Sequence, residues 1–101
     1  MTMDKIINCT SYLISTHCQK AMDLRNIALD DLLETVDFGE VIAKYETDRP
    51  FPSKLILKFV RGKPLHVVVA QDIVSLACIL ITAYWPDYNK WGFDFKTRKK
   101  G

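Results

Sequence analysis

The stretch SKLILKFVRGKPLHVVVAQ, residues 53–71, decides the fold class. Over residues 53–61, Leu55, Leu57 and Phe59 alternate with a second set that includes Lys54 and Lys58. This period of two predicts a β-strand. Residues 65–71 predict a second strand, because they contain a run of β-branched valines. Residues 62–64, Gly-Lys-Pro, are typical of a turn. So short a connection predicts that the two strands pair in antiparallel fashion.

The two faces of the first of these strands differ in character. Leu55, Leu57 and Phe59 lie on one face, while Lys54 and Lys58 lie on the other with two apolar residues. We therefore expect the leucine and phenylalanine face to be the core face of the strand.

The orientation of His66 depends on the register of the strand pair, and two registers are open. If Gly62 and Lys63 form a two-residue turn, His66 faces Phe59 on the apolar side. A shift by one residue places His66 with Lys58 instead, because such a slip moves every side chain to the opposite face.

Two helices and two further strands are predicted outside this pair. Apolar residues at helical spacing predict one helix over residues 15–25 and a second over residues 27–37. Residues 40–45 predict a strand before the pair, and residues 76–84 predict one after it. This last strand is apolar on both faces except at Thr82, which indicates an internal position in the sheet.

The predicted fold class is α+β. We expect two N-terminal helices packed on one face of a four-stranded, mainly antiparallel sheet. A short C-terminal helix or an ordered tail over residues 89–100 follows the sheet. The length of 101 residues is that of a single domain, residues 1–101.

Composition excludes several classes of protein. Apolar residues make up 49% of the chain and charged residues 26%, which is typical of a globular protein and not of a disordered one. No run without a charge is longer than residues 73–86, and this length is shorter than a membrane-spanning helix requires. Residues 1–8 lack the pattern of a secretory signal. We therefore expect a cytoplasmic protein without a membrane partner.

The three cysteines, Cys9, Cys18 and Cys78, are an odd number without the spacing of a zinc knuckle. In a chain without a secretory signal, reduced thiols are expected. His17 lies beside Cys18, but adjacent helical residues point in different directions. The sequence therefore predicts no metal site and no cofactor.

The net charge of +2 conceals an uneven distribution. Residues 1–53 carry 5 basic and 9 acidic side chains, a net −4, and residues 54–101 carry 9 basic and 3 acidic ones, a net +6. The basic half is a candidate surface for RNA or another polyanion. For its last four cations alone, a solvated tail is the simpler interpretation. These cations are Lys96, Arg98, Lys99 and Lys100.

Several segments resemble a bacterial domain family of unassigned function, over about residues 13–98. The most specific are residues 63–69, with Pro-Leu-His-Val-Val, and residues 81–87, with Thr-Ala-Tyr. Ala21 and Asn26 depart from the family pattern, which often has arginine and glycine there. The other matching segments are His17–Ile27, Gly39–Ile42, Pro52–Leu55 and the pair Trp91 and Arg98.

The resemblance also implies a function. The family is similar to BrnT-like toxins, which belong to the wider RelE-like group of ribosome-linked or free ribonucleases. It implies a small α+β protein of a bacterial toxin–antitoxin or related system, with RNA or the ribosome as substrate and an antitoxin protein as partner. The alanine at position 21 favours a weak or inactive relative, because a helix arginine there would contact phosphate.

Metal-independent RNA cleavage needs a base for the 2′-hydroxyl, a cation for the developing phosphorane charge and an acid for the leaving oxygen. We expect Arg25, His66 and Tyr84 to line one shared groove. The candidate catalytic residues are His17, Arg25, His66, Tyr84 and Arg98, and the candidate RNA-binding residues are Lys54, Lys58 and Lys99.

Each candidate also has a structural interpretation. A histidine in an apolar strand, such as His66, more often only makes hydrogen bonds within the sheet. Arg25 is placed to cap the C-terminal end of its helix. Trp91, Phe93 and Phe95 are expected to cover an open edge of the core and not to stack on bases. The alternative function is therefore a non-catalytic protein-interaction module with the same fold. A DNA-binding repressor is weaker, because no predicted helix is basic enough for recognition.

Overall fold

The computed structural model describes residues 5–99, which form two helices and a five-stranded sheet. Across the sheet the strand order is β1-β5-β4-β3-β2. Strand β1 pairs in parallel with β5, and the other neighbours pair in antiparallel fashion. The elements are β1 (Tyr12–Ile14), α1 (Thr16–Arg25), α2 (Leu29–Phe38), β2 (Glu40–Tyr45), β3 (Ser53–Val60), β4 (Lys63–Gln71) and β5 (Cys78–Tyr84).

The α+β class is correct, but the prediction of a four-stranded, mainly antiparallel sheet is wrong. The sheet has five strands and is mixed, because β1 adds to the edge of β5 in the parallel direction. Three residues are too few to show a period of two, so β1 was not predicted. Its presence makes β5 internal, which agrees with the apolar character of that strand.

Local sequence explains the bounds of α1. The Ser15 hydroxyl caps the helix by accepting a hydrogen bond from the Cys18 backbone N–H at 3.0 Å. After Arg25, Asn26 adopts a left-handed conformation with φ of 54°, which ends the helix. The predicted end of the first helix at residue 25 is therefore correct.

Both helices pack on the same face of the sheet, as predicted. Their buried apolar side chains, Met22 of α1 and Val36 of α2 among them, join Ile56, Val67 and Leu80 of the sheet in one core cluster. This face of β3 is the one that carries the lysines, because Ile56 alternates with the leucines. The prediction that the leucine and phenylalanine face forms the helical core is therefore wrong.

The C-terminal segment, residues 86–99, covers the opposite face of the sheet. The Phe95 ring meets the Phe59 ring edge-on at 6.1 Å between centroids, and Lys96 Nζ lies 3.0 Å from Glu40 Oε1 of β2. Residues 86–99 contain no helix, so the ordered-tail alternative is correct for the part described. Lys100, the last residue of that prediction, lies outside the described residues. The sheet is thus covered on both faces, and β3 can bury side chains on either side.

The turn between β3 and β4 consists of Arg61 and Gly62, with φ of 49° and 80°. Positive φ at both positions is the geometry of a type I′ turn, which suits a two-residue hairpin. It pairs His66 with Leu57, so neither predicted register is observed. His66 nevertheless lies on the apolar side given by the first of the two registers, because its partner has moved by two residues, from Phe59 to Leu57.

Cys9 and Cys78 form a disulfide, and Cys18 is a buried free thiol. The expectation of three reduced thiols is wrong for this pair. The bond joins the segment before β1 to the first residue of β5 across a separation of 69 residues. The parallel pairing of β1 with β5 brings the two cysteines together, and sequence spacing does not reveal that pairing.

Candidate functional site

A pocket of about 400 Å³ lies where the C-terminal end of α1, the end of β5 and the C-terminal segment meet. We call it the cationic pocket. Three of its lining residues are cations, and one, Asp87, is a carboxylate. One Asp87 oxygen accepts a hydrogen bond from the Asn89 backbone N–H at 2.9 Å, so it is engaged in the local turn. The pocket is lined by Arg25, Tyr84, Trp85, Asp87, Lys90, Trp91 and Arg98.

Two hydrogen bonds hold Arg25 in the lining of this pocket, one through its side chain and one through its carbonyl. The Arg25 guanidinium donates to the Ala83 carbonyl at 3.0 Å, and the Trp85 indole N–H donates to the Arg25 carbonyl at 2.7 Å. The last turn of α1 is therefore tied to the end of β5. Since one guanidinium nitrogen serves this contact, the remaining donors of Arg25 are available to a ligand.

Arg98 is placed by Trp91. The two residues form an isolated antiparallel bridge, and the guanidinium carbon of Arg98 lies 5.8 Å from the centre of the indole ring. Trp91 is only 8% exposed and Arg98 is exposed. A cation stacked on an aromatic face keeps a defined position while its donors stay in solvent.

His66 lies behind the pocket and is fully buried. Its Nδ1 is 3.2 Å from the Tyr84 hydroxyl oxygen, and its Nε2 is 2.8 Å from the Phe95 carbonyl oxygen. The Trp91 ring packs edge-on against the imidazole at 4.5 Å between centroids. His66 therefore connects the Tyr84 hydroxyl in the pocket with the backbone of the C-terminal segment.

The partners of His66 define its tautomer. A carbonyl oxygen only accepts, so Nε2 carries the proton that bonds Phe95. Burial lowers the pKa of His66 below its ordinary value. The hydrogen bond to the Phe95 carbonyl raises the pKa, but the effect of burial is the larger of the two. The imidazole is therefore neutral at pH 7, and Nδ1 accepts a hydrogen bond from the Tyr84 hydroxyl. One lone pair of the phenolic oxygen is then free to accept a hydrogen bond from a ligand.

The environment of Tyr84 acts on its pKa in two directions. Burial raises the pKa of the phenol, the neighbouring Tyr45 adds to the rise, and Arg98 lowers it. Tyr84 is therefore protonated at neutral pH. It can take part in proton transfer only if another group accepts its own proton, and His66 Nδ1 is the group in contact.

Stability is expected to fall as the pH is lowered from 7.5 to 5.5. His66 has a depressed pKa when folded and an ordinary pKa of 6.5 when unfolded, so the unfolded chain binds the proton more readily. This contribution to the free energy of unfolding is complete above about pH 6.5 and decreases below it. Urea denaturation at the two pH values, with His66→Gln alongside, measures it.

The variant should show a smaller pH dependence than the native protein over this range. His17 and the carboxylates are present in both proteins, so the difference isolates His66. Equal pH dependence in the two proteins would mean that His66 titrates alike in the folded and unfolded chains.

The structure brings together most of the predicted catalytic residues. Arg25, Tyr84 and Arg98 line the cationic pocket, and His66 bonds Tyr84 from behind. The expected groove of Arg25, His66 and Tyr84 is thus present with one difference, because His66 has no surface of its own. His66 is linked to the pocket by its hydrogen bond with Tyr84.

The remaining predicted residues lie elsewhere. His17 is exposed in the first turn of α1, about 12 Å along the helix axis from Arg25. Lys58 pairs with Glu34 of α2 at 3.8 Å, and Lys54 lines a separate pocket beside Pro52 and Ile73. Neither lysine therefore joins the predicted catalytic groups.

Four lining residues of the pocket, Trp85, Asp87, Lys90 and Trp91, were not predicted as site residues. Trp91 was predicted only to cover an edge of the core. Trp85 and Asp87 follow directly after Tyr84 in the resembling segment, so continuing the candidate list along that segment would have found them. Lys90 carries no signal in the sequence, because the path of the C-terminal segment brings it to the pocket.

Within residues 5–99, no three histidine, cysteine or acidic side chains cluster as possible ligands of a metal ion. Neither α1 nor α2 is long and apolar enough to cross a membrane.

Comparison with known proteins places the chain in a family without an assigned function. No curated protein and no solved structure matches it. One family model, described as Domain of unknown function (DUF4258), matches residues 14–85. The match includes Arg25, His66 and Tyr84, ends before Lys90 and Arg98, and gives no link to BrnT-like or RelE-like toxins. Because it covers most of the chain, the protein belongs to the family of domains of unknown function DUF4258.

Proposed function

We propose that this protein is a toxin-like, metal-independent ribonuclease that cleaves RNA in the cationic pocket. One observation carries the proposal. The Tyr84 hydroxyl is bonded to a buried, neutral histidine and lies in the same pocket as Arg25, Lys90 and Arg98. A proton acceptor with a relay behind it and cations around it is the arrangement that phosphodiester transfer requires.

In the proposed reaction, the ribose 2′-oxygen attacks phosphorus and the bond from phosphorus to the 5′-oxygen breaks. The 2′-hydroxyl proton passes to the Tyr84 oxygen while the Tyr84 proton passes to His66 Nδ1. The Phe95 carbonyl stabilises the resulting imidazolium, since it already accepts from Nε2 at 2.8 Å. The Lys90 ammonium protonates the leaving 5′-oxygen. The products are a 2′,3′-cyclic phosphate and a 5′-hydroxyl.

Arg25 and Arg98 have a different task in this proposal. They neutralise the charge that grows on the non-bridging oxygens of the phosphorane. Guanidinium groups suit it because they stay charged and offer several donors in one plane. Arg98 is held against Trp91 and Arg25 against Ala83, so both are positioned before the substrate arrives.

The biological setting follows the resemblance of the sequence. We propose a relationship to BrnT-like toxins of the RelE-like group, an RNA or ribosome substrate and an antitoxin protein as partner. An RNA substrate places the activity in the cytoplasm, where the Cys9–Cys78 pair would meet reducing conditions. A small antitoxin-like gene beside this one would support the proposal.

A non-catalytic interaction module is the second candidate. The observation that favours it is the loop between β4 and β5, where Ile73 is 74% exposed and Val74 is 88% exposed. Adjacent exposed apolar side chains are typical of a surface that binds another protein. Induced expression of the native protein and of Tyr84→Phe separates the two candidates. If the native protein arrests growth and Tyr84→Phe does not, the ribonuclease is favoured. If neither protein arrests growth, the interaction module is favoured.

Replacement of Arg98 by glutamine tests the phosphate contact. Binding of single-stranded RNA should weaken, and the slope of log K against log salt concentration should become smaller in magnitude by about 0.7, because one fewer phosphate is neutralised. Cleavage should slow by about 10²–10³ if Arg98 stabilises the phosphorane. Fluorescence anisotropy at several salt concentrations measures the binding.

Lys20→Ala is the matched control, because Lys20 is an exposed cation of α1 outside the cationic pocket. It should leave the salt slope unchanged. If Arg98→Gln and Lys20→Ala bind RNA with the same salt slope as the native protein, Arg98 contacts no phosphate and the proposed site is wrong.

A further inference from the structure

A second pocket, of about 360 Å³, lies on the C-terminal segment next to the cationic pocket. We call it the aromatic pocket; it is lined by Tyr88, Phe93, Phe95 and Lys99. Its volume is in the range of pockets that hold small ligands. Phe93 is 94% exposed and Tyr88 is 65% exposed, so neither ring is covered by this chain.

The rings of this pocket are not equivalent. Phe95 packs edge-on against Phe59 and Tyr88, with centroids 6.1 Å and 6.5 Å apart, and so forms the fixed floor. Its φ of 60° is unusual for a bulky residue, and the hydrogen bond from His66 to its carbonyl holds it in that conformation. Within residues 5–99, Phe93 makes no comparable ring contact, and its exposure leaves its apolar face open to a ligand. The prediction that Phe93 covers an edge of the core is therefore wrong.

The two pockets share one short length of chain. Lys90, Trp91 and Arg98 line the cationic pocket, while Phe93 and Lys99 line the aromatic pocket. Arg98 and Lys99 are consecutive, so their Cα atoms are about 3.8 Å apart. The backbone bond from the Lys99 N–H to the Lys90 carbonyl, 2.8 Å, closes this loop. Both pockets therefore take lining residues from one closed loop, residues 90–99.

We propose that the aromatic pocket binds an unpaired base of single-stranded nucleic acid whose neighbouring phosphate lies in the cationic pocket. This inference rests on the proposed RNA-binding function and adds the class of substrate. An exposed ring accepts the face of any base, and the adjacent lysine attracts the phosphate of the same strand. Duplex RNA is excluded as the preferred substrate, since its bases are stacked within the helix and present no free face.

Binding of two oligonucleotides tests the inference. The first is a single-stranded 2′-O-methyl RNA ten-mer, which has no free 2′-hydroxyl and so resists cleavage. The second is an abasic ten-mer with the same number of phosphates. The native protein should bind the ten-mer with bases about 5- to 150-fold more tightly, the range reported for stacking of one base on an aromatic residue. Phe93→Leu should lose most of this preference.

Val74→Ala is the matched control, because Val74 is a similarly exposed apolar residue outside both pockets. It should retain the full preference, and both variants should fold because surface substitutions change stability by about 0.5 kcal/mol or less. Equal affinity of the native protein for the two oligonucleotides would overturn the inference.

Arg98→Gln separates this inference from the proposed function. If it weakens binding of both oligonucleotides while Phe93→Leu changes neither, the cationic pocket binds the backbone and the aromatic pocket binds no base. If Phe93→Leu removes the preference while Arg98→Gln has no effect, the base site stands and the phosphate site is wrong. If the native protein binds neither oligonucleotide, both proposals are overturned.

Discussion

Tyr84→Phe is expected to slow RNA cleavage by about 10²–10⁴, the contribution of one positioned acid or base. The phenylalanine ring fills the same space but offers no oxygen to the 2′-hydroxyl proton and no path to His66. Binding of RNA should be unchanged, because the arginines proposed to contact phosphate remain. Rates at saturating RNA, measured with labelled RNA, separate the loss of chemistry from a loss of binding.

Tyr12→Phe is the matched control for this variant. The Tyr12 hydroxyl donates to Asp37 at 2.5 Å and lies outside the cationic pocket, so the change also removes a phenolic hydrogen bond. It should lower stability without slowing cleavage. If Tyr12→Phe and Tyr84→Phe reduce the rate equally, the effect comes from folding and Tyr84 has no chemical role.

His66→Ala is expected to lower the free energy of unfolding by about 3–5 kcal/mol, as large-to-small substitutions of buried rings do. The substitution leaves a cavity next to the Trp91 ring. It also removes the hydrogen bond from His66 to the Phe95 carbonyl, which within residues 5–99 is the only side-chain hydrogen bond between β4 and that carbonyl. The C-terminal segment should then become sensitive to protease. Urea denaturation and limited proteolysis measure the two effects.

His66→Gln separates the structural role from the chemical one. The glutamine amide can still donate to the Phe95 carbonyl, but it lacks the basic nitrogen that receives the Tyr84 proton. The segment should stay protected from protease while cleavage falls. Native-like cleavage by a folded His66→Gln protein would show that His66 only anchors the segment.

Much of the fold follows from local sequence patterns. The alternation in β3, the valine run in β4 and the apolar run in β5 each reflect side-chain burial within one strand, so a single sequence reveals them. The cap at Ser15 and the left-handed Asn26 are equally local. These features depend on neighbours a few residues apart.

The features that the sequence did not predict depend on distant contacts. β1 exists because β5 accepts it as a parallel neighbour, and the Cys9–Cys78 bond follows from that pairing. The core face of β3 was assigned wrongly because the C-terminal segment covers the face opposite the helices. With apolar residues on both faces of β3, alternation alone does not say which face meets the helices.

The candidate site shows the same division. Arg25, His66 and Tyr84 were found from segments that resemble a family, and they lie within the family match. Lys90 joins them only because the chain turns back after β5. The burial of His66, and hence its position behind Tyr84, depended on a register that neither predicted alternative described.

The central claim is metal-independent RNA cleavage by the Tyr84–His66 relay, and analysis of the cleavage products tests it most directly. Purified native protein is incubated with single-stranded RNA and with translating ribosomes, in both cases with a chelator, and the ends of the fragments are identified. The proposal predicts that RNA is cleaved in at least one of the two settings. The fragments should carry 2′,3′-cyclic phosphate and 5′-hydroxyl ends, and Tyr84→Phe should not produce them. Intact RNA in both settings, or fragments with 5′-phosphate ends, would contradict it.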